Sequence, residues 1–242
     1  MSLFVMADLH LSTNGEKSME VFGPRWKDYM QKIEKNWRAV VTEEDTVVLP
    51  GDISWSLKLE ETLEDFRFLD SLPGTKLLGK GNHDFWWSTA AKMNAFFQKH
   101  ELNSLRIFYN NAYAMEDCIL CGSRGWFVEE GQQKTVGDAD YEKILNREVI
   151  RLRLSLEEAV RLRADCGREL PILVFLHFPP VWAEEICTPI VELLKEYGIR
   201  SCYFGHIHGA YYAPRTTTYE GIDFIMTAAD YLNFAPMPIY PD

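Results

Sequence analysis

Gly81-Asn82-His83-Asp84 follows the mostly apolar run Thr75-Lys76-Leu77-Leu78-Gly79, and this junction decides the fold that we predict for the chain of 242 residues. The run has the composition of a buried strand, and the four residues after it lie where the strand gives way to a loop. Ligand sites of open α/β sheets gather at the carboxyl ends of strands. An amide, an imidazole and a carboxylate in succession are costly to bury unless each has a partner. A metal centre would supply that partner for all three.

The same junction of an apolar run with polar residues occurs twice upstream. Leu3 to Ala7 leads into Asp8-Leu9-His10, and Thr46 to Leu49 leads into Pro50-Gly51-Asp52. Helical patterns separate the three runs. They begin at Pro24, at Leu59 and near Trp87. Near-continuous apolar strands that alternate with helices predict a sheet of buried strands with helices packed on its faces.

The last third of the chain repeats this arrangement. Ile172 to Leu176 ends in His177, and Ser201 to Phe204 ends in Gly205-His206-Ile207-His208. On an extended backbone His206 and His208 would face one way, and the same holds for Asp8 and His10. Each pair would then direct two side chains into one site.

The parallel pattern stops after residue 105. Arg106 to Asn110 and Cys118 to Gly122 are strand-like, and the turn-like residues 110–112 and 116–117 suggest that these strands pair as neighbours in a mixed sheet. Further strands are expected at Ala210 to Ala213 and at Ile222 to Thr227. No linker, low-complexity segment or repeat divides the sequence, so we predict one domain over residues 1–242.

Composition excludes several classes of function. With 36 acidic and 25 basic residues the formal charge is −11, which opposes binding to a nucleic-acid backbone. The arginines of a long predicted helix, Asp138 to Asp165, alternate with glutamates and so favour a solvated face over a basic groove. No run of about 18 apolar residues is present, so we expect no membrane span. The polar N-terminal motif and the five irregularly spaced cysteines favour a cytoplasmic protein with reduced thiols.

Five of the six histidines belong to the strand-end motifs. Imidazoles, carboxylates and one amide together are too rich in oxygen for a structural zinc site and too rich in nitrogen for a calcium site. They favour borderline transition metals, with Mn²⁺ the first choice and Fe or Zn²⁺ the alternatives. The strand-end residues are Asp8, His10, Asp52, Asn82, His83, Asp84, His177, His206 and His208.

These motifs, in this order, resemble the calcineurin-like metallophosphoesterase superfamily. The resemblance implies an α/β fold of four layers, in which two mixed β-sheets lie face to face between helices. It also implies two divalent transition-metal ions. Asp8, His10 and His208 would bind one ion, Asn82, His177 and His206 the other, and Asp52 would bridge them. His83 would lie over the phosphoryl group, Asp84 would orient it, and Asn82 would also contact the substrate.

The activity implied is hydrolysis of a phosphoester by a metal-activated hydroxide. Protein Ser/Thr phosphatases of the superfamily carry Asp-Arg-Gly after the Gly-Asp motif, whereas Ile53 and Ser54 stand here, so we expect the bacterial-type branch and a small phosphorylated substrate. A phosphodiester of a small or nucleotide-like molecule is the first hypothesis, and a phosphomonoesterase or pyrophosphatase is the second. A non-catalytic metal-binding scaffold for a protein partner is the alternative from another class.

Other residues near the motifs leave alternatives open. Arg124 is a candidate second phosphate clamp or a salt-bridge partner. The segment Leu11 to Gly23 is a candidate lid. A group of tryptophans would form either an aromatic rim that holds a base or an acyl chain, or wedges between helices and sheets. Its members are Trp55, Trp86, Trp87, Trp126 and Trp182.

Overall fold

The computed structural model describes residues 1–13, 15, 17–126 and 138–241. Its strands in chain order are β1 (Leu3–Val5), β2 (Thr46–Leu49), β3 (Thr75–Leu78), β4 (Leu105–Ile107), β5 (Asn111–Ala114), β6 (Ile119–Ser123), β7 (Ile172–Leu176), β8 (Val181–Trp182), β9 (Glu185–Ile186), β10 (Ser201–Phe204), β11 (Thr216–Tyr219), β12 (Ile222–Met226) and β13 (Met237–Ile239). The α-helices are α1 (Tyr29–Val40), α2 (Leu63–Asp70), α3 (Ala90–Lys99), α4 (Asp138–Cys166) and α5 (Thr188–Glu196). Short 3₁₀ turns cover Met19–Phe22, Pro24–Trp26 and Leu59–Thr62.

Two mixed sheets carry the fold. The first has the strand order β13-β1-β2-β3-β4 and is parallel except for β13, which runs antiparallel to β1. The second has the order β11-β12-β10-β7-β6-β5 and is parallel in its middle, with an antiparallel strand at each edge. A two-stranded ribbon of β8 and β9 stands apart.

Three apolar clusters define four layers. Helices α1, α2 and α3 pack on one face of the first sheet through residues such as Trp37 and Phe66. The two sheets meet across a second cluster that includes Val48 and Phe175. Helices α4 and α5 cover the outer face of the second sheet with side chains such as Leu156. The predicted four-layer sandwich of two mixed sheets is therefore confirmed.

One predicted strand pairing and one predicted strand differ from the structure. The strand expected at Arg106 to Asn110 is β4, and it extends the first sheet in parallel, whereas the hairpin partner of β6 is β5. Residues 107–111 make the turn between the sheets: the Asn111 side chain accepts from the Tyr109 N–H at 2.9 Å, and Asn110 has a φ of 58°. The strand expected at Ala210 to Ala213 is a turn, and the edge strand is the threonine-rich β11.

The predicted helices are present with shifted starts. Pro24 begins a 3₁₀ turn that ends before α1, because Asp28 takes a left-handed conformation with a φ of 53°. Cys118 and Cys121 are buried free thiols at β6, as expected of ordinary strand residues. Among the helices of the described residues, none is both long enough and apolar enough to cross a bilayer.

Candidate metal centre

Two loop segments that follow β1 and β2 run side by side at the carboxyl end of the first sheet. The Asp8 N–H donates to the Gly51 carbonyl at 3.0 Å, and the His10 N–H donates to the Asp52 carbonyl at 2.9 Å. Asp8, His10 and Asp52 have positive φ values of 60°, 46° and 52°. The extended backbone predicted for Asp8 and His10 is therefore wrong, although both side chains reach one site. Left-handed backbone at such residues costs about 1–3 kcal/mol each and is typical of functional sites.

The segment after β10 meets this loop pair from the second sheet. His206 also has a positive φ, of 71°, and its N–H donates to the Asp8 carboxylate at 2.9 Å. Gly205 is required here because a Cβ would overlap the Asp8 carboxylate, and a Cβ at Gly81 would overlap the Asp52 carboxylate. The glycines of the two histidine motifs thus permit the close approach of the backbone to two acidic side chains.

The first half-site, as we call Asp8, His10 and His208, brings ligand atoms from both sheets within 4.8 Å of one another. The two imidazoles face each other, with their Nε2 atoms 3.1 Å apart. Asp8 Oδ1 lies 3.9 Å from His208 Nε2. These are the three residues that the family resemblance assigns to one metal ion.

The second half-site consists of Asn82, His177 and His206. The Asn82 carbonyl oxygen is 2.7 Å from His177 Nε2 and 3.0 Å from His206 Nδ1. Asp52 Oδ2 lies 3.6 Å from His177 Nε2 and 3.7 Å from His10 Nε2, and so stands between the half-sites. Asp8 also approaches His177, at 3.7 Å from Nδ1.

Burial disfavours the charged forms of His10, His177 and His206 and of the carboxylates Asp8 and Asp52. Desolvation, followed by neighbouring histidines, lowers the pKa of His10 and of His177 well below the usual value. Desolvation raises the pKa of Asp8 to about 7. It also raises that of Asp52 well above its usual value, and the nearby Asp84 and Asp8 add to this effect. Neutral imidazoles offer lone pairs, and a neighbouring cation would stabilise the ionised form of crowded carboxylates.

The residues fit a pair of divalent cations. His10 Nε2 and His177 Nε2 are turned towards the centre, at 3.7 and 3.6 Å from Asp52 Oδ2. Two overlapping groups of ligand atoms, Asp8-His10-His208 and Asp8-Asp52-His177, have the spacing of metal ligands. Mixed nitrogen and oxygen donors favour a borderline transition metal.

The calcineurin-like phosphoesterase family model matches residues 1–210 of this chain. The chain belongs to that family. Its members are generally metal-dependent phosphoesterases with a dinuclear divalent metal centre. No curated protein gives a sequence match.

Two solved structures are similar to this chain. The chain is similar to TT1561 of Thermus thermophilus, with a TM-score of 0.53 and 10% identity over 95% of this chain and 89% of that one. It is also similar to AQ665 of Aquifex aeolicus, a protein of unknown function, with a TM-score of 0.45 and 15% identity over 98% and 95% of the two chains. At 10% identity, the likeness to TT1561 concerns the fold alone.

In this calcineurin-like phosphoesterase, Asp84 fastens two loops together. Its buried carboxylate accepts from the backbone N–H groups of Asp52 and Ile53 at 2.8 Å and of Gly81 at 2.7 Å, and from the Trp86 indole at 3.0 Å. The expectation that Asp84 orients the His83 ring is wrong, because both carboxylate oxygens serve these donors. Asp84 instead positions Asp52 and Asn82 by holding the loops that carry them.

His83 lies at the mouth of the first half-site. Its ring centroid is 5.7 Å from that of His10 and 4.6 Å from that of Trp55. Desolvation, followed by the charges of His208 and Lys17, lowers the pKa of His83. The neutral form of the His83 ring is therefore favoured. A neutral imidazole still donates one hydrogen bond.

Arg124 forms a salt bridge, and its candidate role as a second phosphate clamp stays a prediction. Its guanidinium lies 3.1 Å from the buried carboxylate of Glu148, which also pairs with Arg151 at 2.5 Å. Of the candidate tryptophans, Trp55 lies beside the metal centre, stacked on His10 at 4.8 Å. Trp86 is buried against Phe66 and acts as a wedge.

Asp230 is a site residue that the sequence reasoning missed. Residues 227–229 continue from β12 and pair with Ala7, through Ala7 N–H to Thr227 O at 2.8 Å and Ala229 N–H to Ala7 O at 2.9 Å. This pairing places the buried Asp230 carboxylate 2.9 Å from His208 Nδ1. Burial alone would lower the pKa of His208, but its hydrogen bond to Asp230 raises it above the usual value. A strand end followed by an acidic residue was the signal, and it was present in Met226-Thr-Ala-Ala-Asp230.

The described part of the segment 11–23 lies against the centre; Asn14 and Glu16, within this candidate lid, lie outside the described residues. Thr13 is held by the buried Asp65, whose carboxylate accepts from its N–H at 2.8 Å and from its hydroxyl at 2.7 Å. Met19 and Phe22 line a cavity that also contacts His10 and His208. The segment therefore forms one wall of the site.

Proposed function

We propose that this chain, as a single domain over residues 1–242, is a dinuclear metal-dependent phosphodiesterase of the bacterial-type branch that hydrolyses a small or nucleotide-like substrate. The observation that carries the proposal is the convergence of two half-sites on Asp52, whose Oδ2 atom lies within 3.7 Å of an imidazole from each. In the proposal Asp8, His10 and His208 bind one ion, Asn82, His177 and His206 bind the other, and Asp52 bridges them. Mn²⁺ is the first choice and Fe or Zn²⁺ the alternatives, because the donors are mixed.

When bound, two divalent cations supply Lewis acidity towards a phosphate and a water. The protein's own residues do the rest. Asp52 and Asp8 place negative charge between and beside the half-sites, which offsets the repulsion of two cations. The lowered pKa values of His10, His177 and His206 favour neutral imidazoles, which present lone pairs without first losing a proton.

His83 would contact the phosphoryl group. Its half-buried ring stands between Trp55 and His10, at the open side of the centre. From there its N–H can donate to a phosphoryl or leaving-group oxygen, where charge develops during the displacement. His83 is the single side chain of the motif Gly81 to Asp84 that neither belongs to a half-site nor fastens the loops.

A diester carries an organic group on each side of phosphorus, and the structure offers room for one of them. A cavity of about 340 Å³ adjoins His10, His83 and His208. A pocket of this size suits an organic substituent. This observation favours an organic phosphoester over inorganic pyrophosphate.

A phosphomonoesterase or pyrophosphatase is the second candidate, and a group of basic residues favours it. Arg124 and Arg151 share the buried Glu148, and desolvation followed by the charge of Arg124 lowers the pKa of Lys80. Lys80 directly precedes Gly81, and the Arg124 carbonyl accepts from the His177 N–H at 3.0 Å. Arg124, Arg151 and Lys80 are three basic residues near the single carboxylate of Glu148. The excess of basic groups would favour binding of a terminal phosphate.

The test is hydrolysis of bis(4-nitrophenyl) phosphate and of 4-nitrophenyl phosphate by the protein loaded with Mn²⁺. We expect preference for the diester, and a loss of at least about 100-fold in kcat for His83→Ala. His100→Ala is the matched control, since His100 lies at the end of α3, packed on Phe96. Preference for the monoester would promote the second candidate. Undiminished turnover in His83→Ala would refute the proposed role of His83, and absence of all turnover would favour the non-catalytic scaffold.

A further inference from the structure

The cavity beside the metal centre has walls of a different chemistry from its floor. Three site histidines, His10, His83 and His208, form the end that faces the half-sites. The remaining side chains are apolar or aromatic. They are Met19, Phe22, Trp26, Trp55 and Tyr211.

Two exposed aromatic side chains lie at this cavity. Ten large apolar residues are exposed in the described part of the chain, and two of them line the cavity or contact a side chain that lines it. Phe22, which is 67% exposed, lines the cavity itself, and the Phe85 ring is 6.2 Å from that of His83. Exposed apolar surface beside a concave pocket marks a binding surface.

Two polar side chains at the cavity are directed to one carboxylate. His208 Nδ1 lies 2.9 Å from the Asp230 carboxylate, which the Tyr211 side chain also approaches. Arg25 lies over the Tyr211 ring at 4.0 Å and donates to the Asp230 carbonyl at 2.6 Å. A nucleobase in this cavity would bury its hydrogen-bonding edges against these engaged groups, which is costly. A hydrocarbon chain would have no such cost.

We infer that this cavity binds the hydrocarbon chain of an amphiphilic phosphoester, with Phe22 as the side chain that determines its specificity. The inference rests on the proposed function, because the phosphate of such a molecule would lie at the metal centre while its chain leaves past His83 and His208. Met19 and Phe22 belong to the turn at Met19–Phe22, so the segment after His10 supplies the specificity wall.

The experiment measures binding of methyl-, butyl-, hexyl- and octylphosphonate to the Mn²⁺-loaded protein by calorimetry. Phosphonates are not hydrolysed, and the short members are monomeric in solution. We expect affinity to rise with chain length, by up to about fourfold for each methylene that enters the cavity. Phe22→Ala should weaken octylphosphonate binding by about tenfold and leave methylphosphonate unchanged, because only the longer chain reaches this wall.

Val21→Ala is the matched control. Val21 is the neighbour of Phe22 in the same turn and is also exposed, but it does not line the cavity. Its octylphosphonate affinity should equal that of the wild type. Phe22→Leu should retain most of the chain-length dependence, since leucine keeps an apolar wall.

Four outcomes would overturn the inference. They are an affinity independent of chain length, tighter binding of phenylphosphonate than of hexylphosphonate, equal losses in Phe22→Ala and Val21→Ala, and binding of octylphosphonate only when phosphatidylcholine vesicles carry it. Equal losses in the two variants would indicate that substitution perturbs the whole turn. Binding only from vesicles would assign the affinity to contact between the exposed side chains and a bilayer. Failure of the proposed function is separate: chain-dependent phosphonate binding without hydrolysis of either nitrophenyl ester would leave the cavity assignment intact.

Discussion

Asp45 and Asp52 stand at opposite ends of β2 and meet opposite surroundings. At the amino end Asp45 accepts from the Ser2 N–H at 2.6 Å and from the N–H and hydroxyl of Thr42, both at 2.8 Å. Burial alone would raise the pKa of Asp45, but these hydrogen bonds outweigh it and lower the pKa. At the carboxyl end, burial and the neighbouring Asp84 and Asp8 raise the pKa of Asp52.

The carboxylates at the two ends of β2 differ in role: the one at the amino end stabilises the fold, and the one at the carboxyl end belongs to the candidate site. The donors around Asp45 satisfy its charge in the folded protein, so it supports the fold. Asp52 accepts from the His83 N–H at 2.8 Å, but burial and the neighbouring Asp84 and Asp8 outweigh that bond and raise its pKa, so its charge calls for a cation. Asp230 combines both conditions, because it is a well-bonded carboxylate whose main partner is the proposed ligand His208.

The largest expected effect is on turnover. Asp52→Asn should lower kcat for the preferred nitrophenyl ester by at least about 1000-fold, because the half-sites lose the charge they share. Asp45→Asn should retain wild-type turnover, since its carboxylate lies at the far end of the strand. Equal losses in the two variants would mean that the contrast between the strand ends has no bearing on activity.

The next effect is on metal affinity. Asp230→Asn should weaken binding of Mn²⁺ at the first half-site by about 10–100-fold, because the carboxylate that orients and polarises His208 is replaced by an amide. Competition with a fluorescent chelator measures the affinity, and elemental analysis measures the bound metal. Asp223→Asn is the control, since Asp223 lies in β12 and bonds to Thr218. Unchanged affinity in Asp230→Asn would remove Asp230 from the metal centre.

Stability should change in opposite directions at the two ends of β2. In metal-free protein Asp45→Asn should lower the free energy of unfolding by about 1–3 kcal/mol, because an amide cannot accept all three hydrogen bonds. Asp52→Asn should raise it by about 1 kcal/mol or more, because a buried charge among like charges is removed. Urea unfolding with a chelator present measures both. A shift of the same sign in both variants would contradict the comparison.

The smallest effect is a pH dependence. The folded-state pKa of Asp45 lies below its unfolded value of about 3.8, so its contribution is fully present above that value and is lost as pH falls through the folded pKa. The stability difference between wild type and Asp45→Asn should be constant from pH 7 to about pH 5 and shrink below about pH 4. A difference that grows on acidification would show that the carboxylate is not stabilised by its donors.

Much of the centre was predictable because its residues follow buried strands. A polar side chain directly after an apolar run is expensive unless the site uses it, and this signal identified Asp8, Asp52, Asn82 and His177. The same signal at Asp230 was present beyond the family-matched residues 1–210 and was missed. The roles of His83 and Asp84 were not readable from their adjacency. Neighbouring side chains on a turn point apart, and Asp84 turns towards backbone donors.

Strand partners were less predictable than strands. β13 pairs with β1 across almost the whole chain, from Leu3 to Ile239, and its Pro238 weakens any local strand signal. The sequence placed the first strand of the β5–β6 hairpin too early. Asparagine and alanine in succession are typical of a turn, and only the pairing with β6 shows that they form a strand. Pairing depends on the surface that a partner offers, which local propensity does not contain.

The residues alone indicate the kinds of ligand and their order, since these follow from side-chain chemistry and from the spacing of apolar runs, and the four-layer fold followed from the family that their motifs resemble. Which atoms meet depends on the tertiary structure. His10 and His208 are separated by 198 positions yet face each other at 3.1 Å. Left-handed residues, two glycines that admit a carboxylate and the bridge from β12 to Ala7 bring them together. Such contacts are the summed outcome of many backbone angles and layers, so no local stretch of residues encodes them.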